Sequence, residues 1–236
     1  MPDPSPRKAV PSGSLSPTIL HDARFDFPKS RRWQTWTADR EETFLRHLAP
    51  FRGQPVTFLE IGSFEGVSAI WMLRNLLTHA DARLTCVDND FLGCGKRLVR
   101  NLRNSGEESK VDCLWIDSHD VRSHVPDDHF DFVYVDASHA APNVLFDVVN
   151  AFLVCKPGGI VGCDDYLYTI PEPVGERPGR ISPLRRLLSG LGWAPEVPRG
   201  TVPKPAIDAF LRVMDGRVDV VHDGYQLWFR KRAAGG

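Results

Sequence analysis

The chain carries almost no net charge: 29 lysines and arginines against 30 acidic residues leave −1, with a pI near 6.7. It therefore lacks the basic footprint that nucleic acid or an anionic membrane surface would require. No apolar run approaches the roughly 18 residues of a membrane span. The amino terminus has no apolar core of the kind a secretory signal needs. No Cys-x-x-Cys pair occurs among the five cysteines, three of which lie in apolar, strand-like runs. They read as reduced thiols of a cytosolic protein. Two nucleotide fingerprints are also missing. No Gly-Lys-Ser/Thr follows a glycine loop, which excludes a P-loop. The loop that could have been Gly-x-Gly-x-x-Gly has Phe64 at its second glycine position. That side chain would obstruct a pyrophosphate, which argues against a nicotinamide-dependent oxidoreductase. No internal repeat is present.

What is there is enough for one sizeable core. Hydrophobic residues make up 42% of 236 residues, sufficient for a single domain with appendages. Residues 1–30 hold six prolines and several serines without periodicity and are expected to form a disordered leader. Asp39 to Leu48 reads as a short helix with Phe44, Leu45 and Leu48 on one face, packing on the main domain or shielding a site. Residues 31–236 form the domain proper. Strands are expected at 56–61, 83–87 and 111–116, with helices at 67–77 and 93–104. From Phe130 to Tyr166 two apolar runs each end in acids: Asp136-Ala-Ser-His139 and Asp164-Asp165-Tyr166. Between them Leu145, Val148, Val149 and Phe152 recur at helical spacing. Strand, helix, strand makes a right-handed crossover, so both carboxyl ends open on one edge of a parallel sheet, where ligands bind. Asp136, His139, Asp164 and Asp165 should therefore converge. Alternating strands and helices predict an α/β, Rossmann-like doubly wound, mostly parallel sheet. Asp223-Gly224 between apolar runs predicts a C-terminal antiparallel hairpin. Residues 170–206, with eight prolines and several arginines, read as a lid-like insertion with a short helix at 184–191. Tyr166 and Arg177, Arg180, Arg185 and Arg186 could line an acceptor pocket, or be solvated charges on the lid.

The loop Glu60-Ile-Gly62-Ser63-Phe-Glu65-Gly66 joins a strand to a helix. Its glycines let the backbone turn sharply and approach a ligand closely. Glu60 suits a ligand with a cationic end. Asp88, closing the second strand, could accept both hydroxyls of a ribose, or simply be a solvated loop end. Asp117 and Ser118, after the third strand, could hydrogen-bond an adenine, or form a plain turn. Three carboxylates at neighbouring strand ends repel one another unless a cation sits among them, and a hard ion such as Mg²⁺ takes oxygen ligands.

The ordered set of Glu60 to Gly66, Asp88, Phe130 to Asp136 and Lys156-Pro-Gly-Gly159 resembles the class I S-adenosylmethionine-dependent methyltransferases over residues 56–166. The closing helix and hairpin extend the likeness to about three quarters of the chain. Asp136-Ala-Ser-His139 with Asp164-Asp165-Tyr166 resembles the metal-dependent small-molecule O-methyltransferases, in the branch of macrolide-sugar O-methyltransferases and cephalosporin-hydroxylase-like proteins. The resemblance implies that Glu60, Gly62, Ser63, Gly66, Asp88, Asp117, Ser118 and Asp136 hold S-adenosyl-L-methionine. It implies Asp136, Asp164 and Asp165 as ligands of Mg²⁺ or another divalent cation, and His139 as the base that deprotonates the acceptor. The sugar-modifying branch usually has a glutamate at the position of Asp164, and the catechol-type branch has Asp-Asn for Asp164-Asp165. The chain therefore sits between the two patterns, and the acceptor stays open among sugars, phenols and other secondary metabolites. The expected partner is a small-molecule hydroxyl acceptor, with no nucleic acid and no membrane, and a homo-oligomer remains open. Two rivals stand beside this expectation: a cofactor-binding module without catalysis, and methyl transfer without a metal.

Overall fold

The computed structural model describes residues 18–168 and 202–233. Seven strands form one sheet in the order β3-β2-β1-β4-β5-β7-β6. They are β1 Thr57–Ile61, β2 Arg83–Val87, β3 Val111–Leu114, β4 Phe130–Val135, β5 Cys155–Cys163, β6 Val218–Asp223 and β7 Leu227–Lys231. The first five run parallel; β7 lies antiparallel to both β5 and β6. The central strands β1 and β4 are apolar and buried almost throughout, because helices cover both faces.

Among the described residues the α-helices are α1 Thr18–His21, α2 Pro28–Trp33, α3 Ala38–Leu48, α4 Val67–Asn75, α5 Gly95–Ser105, α6 Ala141–Val154 and α7 Pro203–Val213. One face of the sheet packs on residues of α1, α3, α4 and α5, the other on α6 and α7. None of the described helices is long and apolar enough to cross a membrane.

Three expectations are corrected. The leader expected to be disordered through residue 30 is helical from Thr18, and Ile19, Leu20, Phe25 and Phe27 are buried. Proline sits at the start of α2, where its missing N–H costs nothing. On α6 the buried stripe is Val144, Val148, Ala151 and Phe152; Leu145 and Val149 face solvent. Likewise α3 buries Phe44 and Leu48 but exposes Leu45. In both helices the sheet selects a narrower stripe than the apolar residues alone mark out. Most of the 170–206 insertion, with the 184–191 helix and all four arginines named for the acceptor pocket, lies outside the described residues.

Phe44 sets the position of α3. Its ring centroid lies 4.9 Å from Tyr134, 5.0 Å from Trp228 and 5.2 Å from Trp36, each an edge-on contact that aromatic quadrupoles favour. Arg40 is four residues earlier on the same helix face, and that face meets the carboxyl edge of the sheet.

Candidate active site

The glycine loop leaves β1 under tight constraint. Gly62 has φ 97°, and a Cβ there would lie 2.2 Å from the carbonyl oxygen of Asp136. Only glycine allows this approach, and it brings the loop against the end of β4. Gly62 N donates to Val87 O at 2.8 Å. Asp88 closes the turn: Oδ2 accepts from Phe64 N at 2.8 Å and Oδ1 from Asp90 N at 2.7 Å. Both oxygens thus brace loop backbone, with a lone pair on each still free for a ligand. Gly66, at φ 86°, starts α4. Ser63 is buried, and its Oγ has no partner among the described residues.

Glu60 does not line this crevice. It is fully buried, its carboxylate accepts from Ser68 Oγ on α4, and Cys86 Sγ lies 3.9 Å away. Burial pushes its pKa up to about 7, against the opposing hydrogen bond from Ser68. The residue expected to meet a cationic ligand end instead supports the loop from behind. A carboxylate directly before a glycine turn cannot be assigned to front or back from spacing alone.

Asp117 and Ser118 begin a 3-10 turn after β3, with Asp117 accepting from His119 N at 3.0 Å. On its far side Asn150 Nδ2 donates to Ser118 O at 3.4 Å. Neighbouring Asp147 is wholly buried, both its oxygens lack partners among the described residues, and burial raises its pKa to about 6.

The acids at the ends of β4 and β5 come together. One oxygen from each of Asp136, Asp164 and Asp165 lies within 4.8 Å of the others. His139 Nε2 is 2.5 Å from Asp165 Oδ2, and its ring packs 4.7 Å from that of Tyr168. The contact with Asp165 raises the His139 pKa despite partial burial. Asp165 is held low in turn, its burial outweighed by hydrogen bonds from His139 and Tyr225. Asp136 is pushed far up, first by desolvation and then by repulsion from Asp164 and Asp165. An all-oxygen set with one member so unfavourably charged fits a hard divalent cation.

Sequence reasoning missed three residues of this cluster. Arg40 donates to Asp164 Oδ2 from Nε at 3.0 Å and from a terminal nitrogen at 2.9 Å, and reaches Asp165 Oδ1 at 3.3 Å. Tyr225 donates to Asp165 Oδ1 at 2.7 Å. Gln226 donates to Asp164 Oδ1 at 3.0 Å and to Tyr134 Oη at 2.9 Å. None carries a motif; only the hairpin signal at 223–224 hinted that Tyr225 and Gln226 would lie near an edge. Tyr166, one of the residues that could have lined an acceptor pocket, is buried, with its hydroxyl tied to Asp208 and Lys204 on α7.

The N-terminal helices also dock on the glycine loop. The buried Glu65 carboxylate accepts from Ser30 N and Ser30 Oγ, both at 2.8 Å. Trp33 stacks on Phe64 at 5.5 Å between centroids.

Five parallel strands closed by an antiparallel pair, with a glycine turn after β1 and acids after β2 and β4, define the class I methyltransferase fold. Several solved structures share it. A protein of Corynebacterium glutamicum superposes with a TM-score of 0.63 at 18% identity, covering 95% of this chain and 94% of its own. The O-methyltransferase TomG from Streptomyces achromogenes, involved in tomaymycin synthesis and solved with S-adenosylmethionine, gives 0.55 at 20% identity, covering 86% of each chain. An O-methyltransferase from Bacillus cereus, solved with S-adenosylhomocysteine, gives 0.54 at 17%, covering 83% of each. Residues 59–166 match a family model described as a methyltransferase domain. The chain accordingly has the class I methyltransferase fold, and its residues 59–166 resemble a methyltransferase domain in sequence. No curated protein matches it.

Proposed function

We propose that the protein transfers the methyl group of S-adenosylmethionine to a hydroxyl of a small molecule, with Asp136, Asp164 and Asp165 holding a divalent cation such as Mg²⁺ and His139 acting as base. The observation that carries this is the meeting of three carboxylates and an imidazole on the edge where Gly62 packs against Asp136. Two structures of the same fold are O-methyltransferases solved with the donor or its product, which supports the donor and the oxygen acceptor. The near-neutral charge favours a small molecule over nucleic acid.

When bound, the donor supplies an electrophilic methyl group and the cation supplies charge that stabilises a developing alkoxide. The remaining work belongs to the chain. His139 presents Nε2 to Asp165, so Nδ1 is the nitrogen left to take the acceptor proton. Asp165 fixes the ring and, by raising its pKa, makes it a stronger base. Asp88 and the backbone of residues 62–66 would hold the donor. Ser63, with its unpartnered buried hydroxyl, is suited to bond it, and Asp117 and Ser118 lie at the strand end expected to face adenine. Alignment of oxygen, carbon and sulfur would provide much of the rate.

A second reading, methyl transfer without a metal, is favoured by one observation: Arg40 already sets a positive charge against Asp164 and Asp165. Methyl transfer from labelled donor to a panel of hydroxyl compounds, with Mg²⁺ or with chelator, separates the two. The expected result is loss of turnover in chelator. In His139→Ala turnover should fall about 10²- to 10⁴-fold while affinity for S-adenosylhomocysteine is unchanged. Equal rates in chelator would select the metal-free reaction, and full activity in His139→Ala would remove the base.

A further inference from the structure

Arg40 stands out because its helix does not explain it. It lies in the first turn of α3, where the helix dipole disfavours a cation. The partner that does explain it is the acid cluster. Its guanidinium makes hydrogen bonds to both oxygens of Asp164 and to Oδ1 of Asp165, at 2.9 to 3.3 Å. It also packs 5.3 Å from the Tyr225 ring centre, and its side chain is only 13% exposed. With Gln226 on Asp164, and Tyr225 and His139 on Asp165, every oxygen of the two carboxylates already has a donor. Of the three acids, only Asp136 has no side-chain donor among the described residues.

We infer that Arg40 is a resident counter-cation of the acid cluster, and that a divalent ion enters only by displacing its guanidinium. This rests on the metal-assisted reading above and deepens it by naming the residue that sets metal affinity. The reasoning is one of charge and space. A guanidinium is permanently charged, and it occupies the oxygens a cation would need from Asp164. Two cations on one carboxylate repel each other at this range. α3 is anchored from Phe44 onward in the aromatic core, whereas Arg40 reaches the cluster on a long side chain from the helix's first turn. Metal occupancy would thus be coupled to the start of α3, and through the Trp36 Nε1 to Glu41 hydrogen bond at 2.9 Å to the segment that carries Trp33 onto the glycine loop.

The test is titration of the full chain with Mn²⁺, followed by the paramagnetic resonance signal of the free ion. R40Q should bind Mn²⁺ at least tenfold more tightly than the wild type, and R40K should stay near the wild type. The double variant R40Q/D136N should lose the gain, which places the ion in this cluster. A measurement on the wild type alone guards against misfolding of the variant: in excess Mn²⁺, amide exchange over residues 37–43 should rise, and unchanged exchange would overturn displacement. Equal and tight binding by wild type and R40Q would overturn the inference while leaving the metal-assisted reading intact. No binding by either would overturn both, and calorimetry with S-adenosylhomocysteine would then show that cofactor binding stands apart.

Discussion

Replacing Glu60 by glutamine should make the protein more stable, and more so as the pH rises. Glu60 is wholly buried, and its pKa is moved from 4.5 to about 7. The displacement corresponds to about 3 kcal/mol between the two protonation states. The sign follows from proton linkage. Between these two values the folded protein keeps the proton that the unfolded chain has lost, so stability falls as the pH rises through this window. It then stays low above the folded pKa. Glutamine is neutral throughout, keeps an acceptor for Ser68 Oγ, and removes that loss. Between pH 5.5 and pH 8.5 the stability of Glu60→Gln relative to wild type should therefore grow by about 2 kcal/mol. Urea denaturation of both proteins at the two pH values reads this directly, as a difference in midpoint that widens by roughly 1 M. Because the same comparison is made at each pH, titration of distant groups cancels. A gap that does not change with pH would mean that Glu60 is ionised in the fold and faces a positive partner. It would also return Glu60 to the crevice as a direct ligand group.

Gly62→Ala should lose about 3 kcal/mol or more, since φ is 97° and the new methyl would meet the Asp136 carbonyl. Thermal unfolding should show Tm lower by roughly 6–12 °C, and S-adenosylhomocysteine affinity measured by calorimetry should fall with it; an unchanged Tm would deny the close approach of loop and strand. Lys231→Met probes the opposite end of the sheet. Lys231 is buried and donates to Phe152 O at 2.9 Å, Cys155 O at 2.8 Å and Asp128. Its loss should cost about 2–4 kcal/mol in urea melts, while methyl-transfer kinetics at low temperature stay at the wild-type level.

The alternation of strands and helices, the crossover from Phe130 to Tyr166 and the hairpin after Val218 were all readable in the chain, because each rests on local periodicity and turn chemistry. So was the convergence of Asp136, His139, Asp164 and Asp165. Right-handed crossovers bring consecutive strand ends to one edge, and every one of these residues sits on such an end. The N-terminal helices were harder to read. Proline and serine in the leader suggested disorder, yet Ile19, Leu20, Phe25 and Phe27 find a groove beside α4 and α5 that no local pattern announces.

What the sequence by itself determined was the class of fold, the edge at which the parallel strands end and the acids that gather there. The tertiary structure alone decided which way Glu60 faces, which stripe of α6 meets the sheet, and that Arg40 sits on Asp164. The physical reason is range. Glycine turns and strand periods act between neighbours, whereas the Arg40–Asp164 contact joins residues 124 positions apart. It exists only because Phe44 docks α3 among aromatic side chains contributed by α4, β4 and β7.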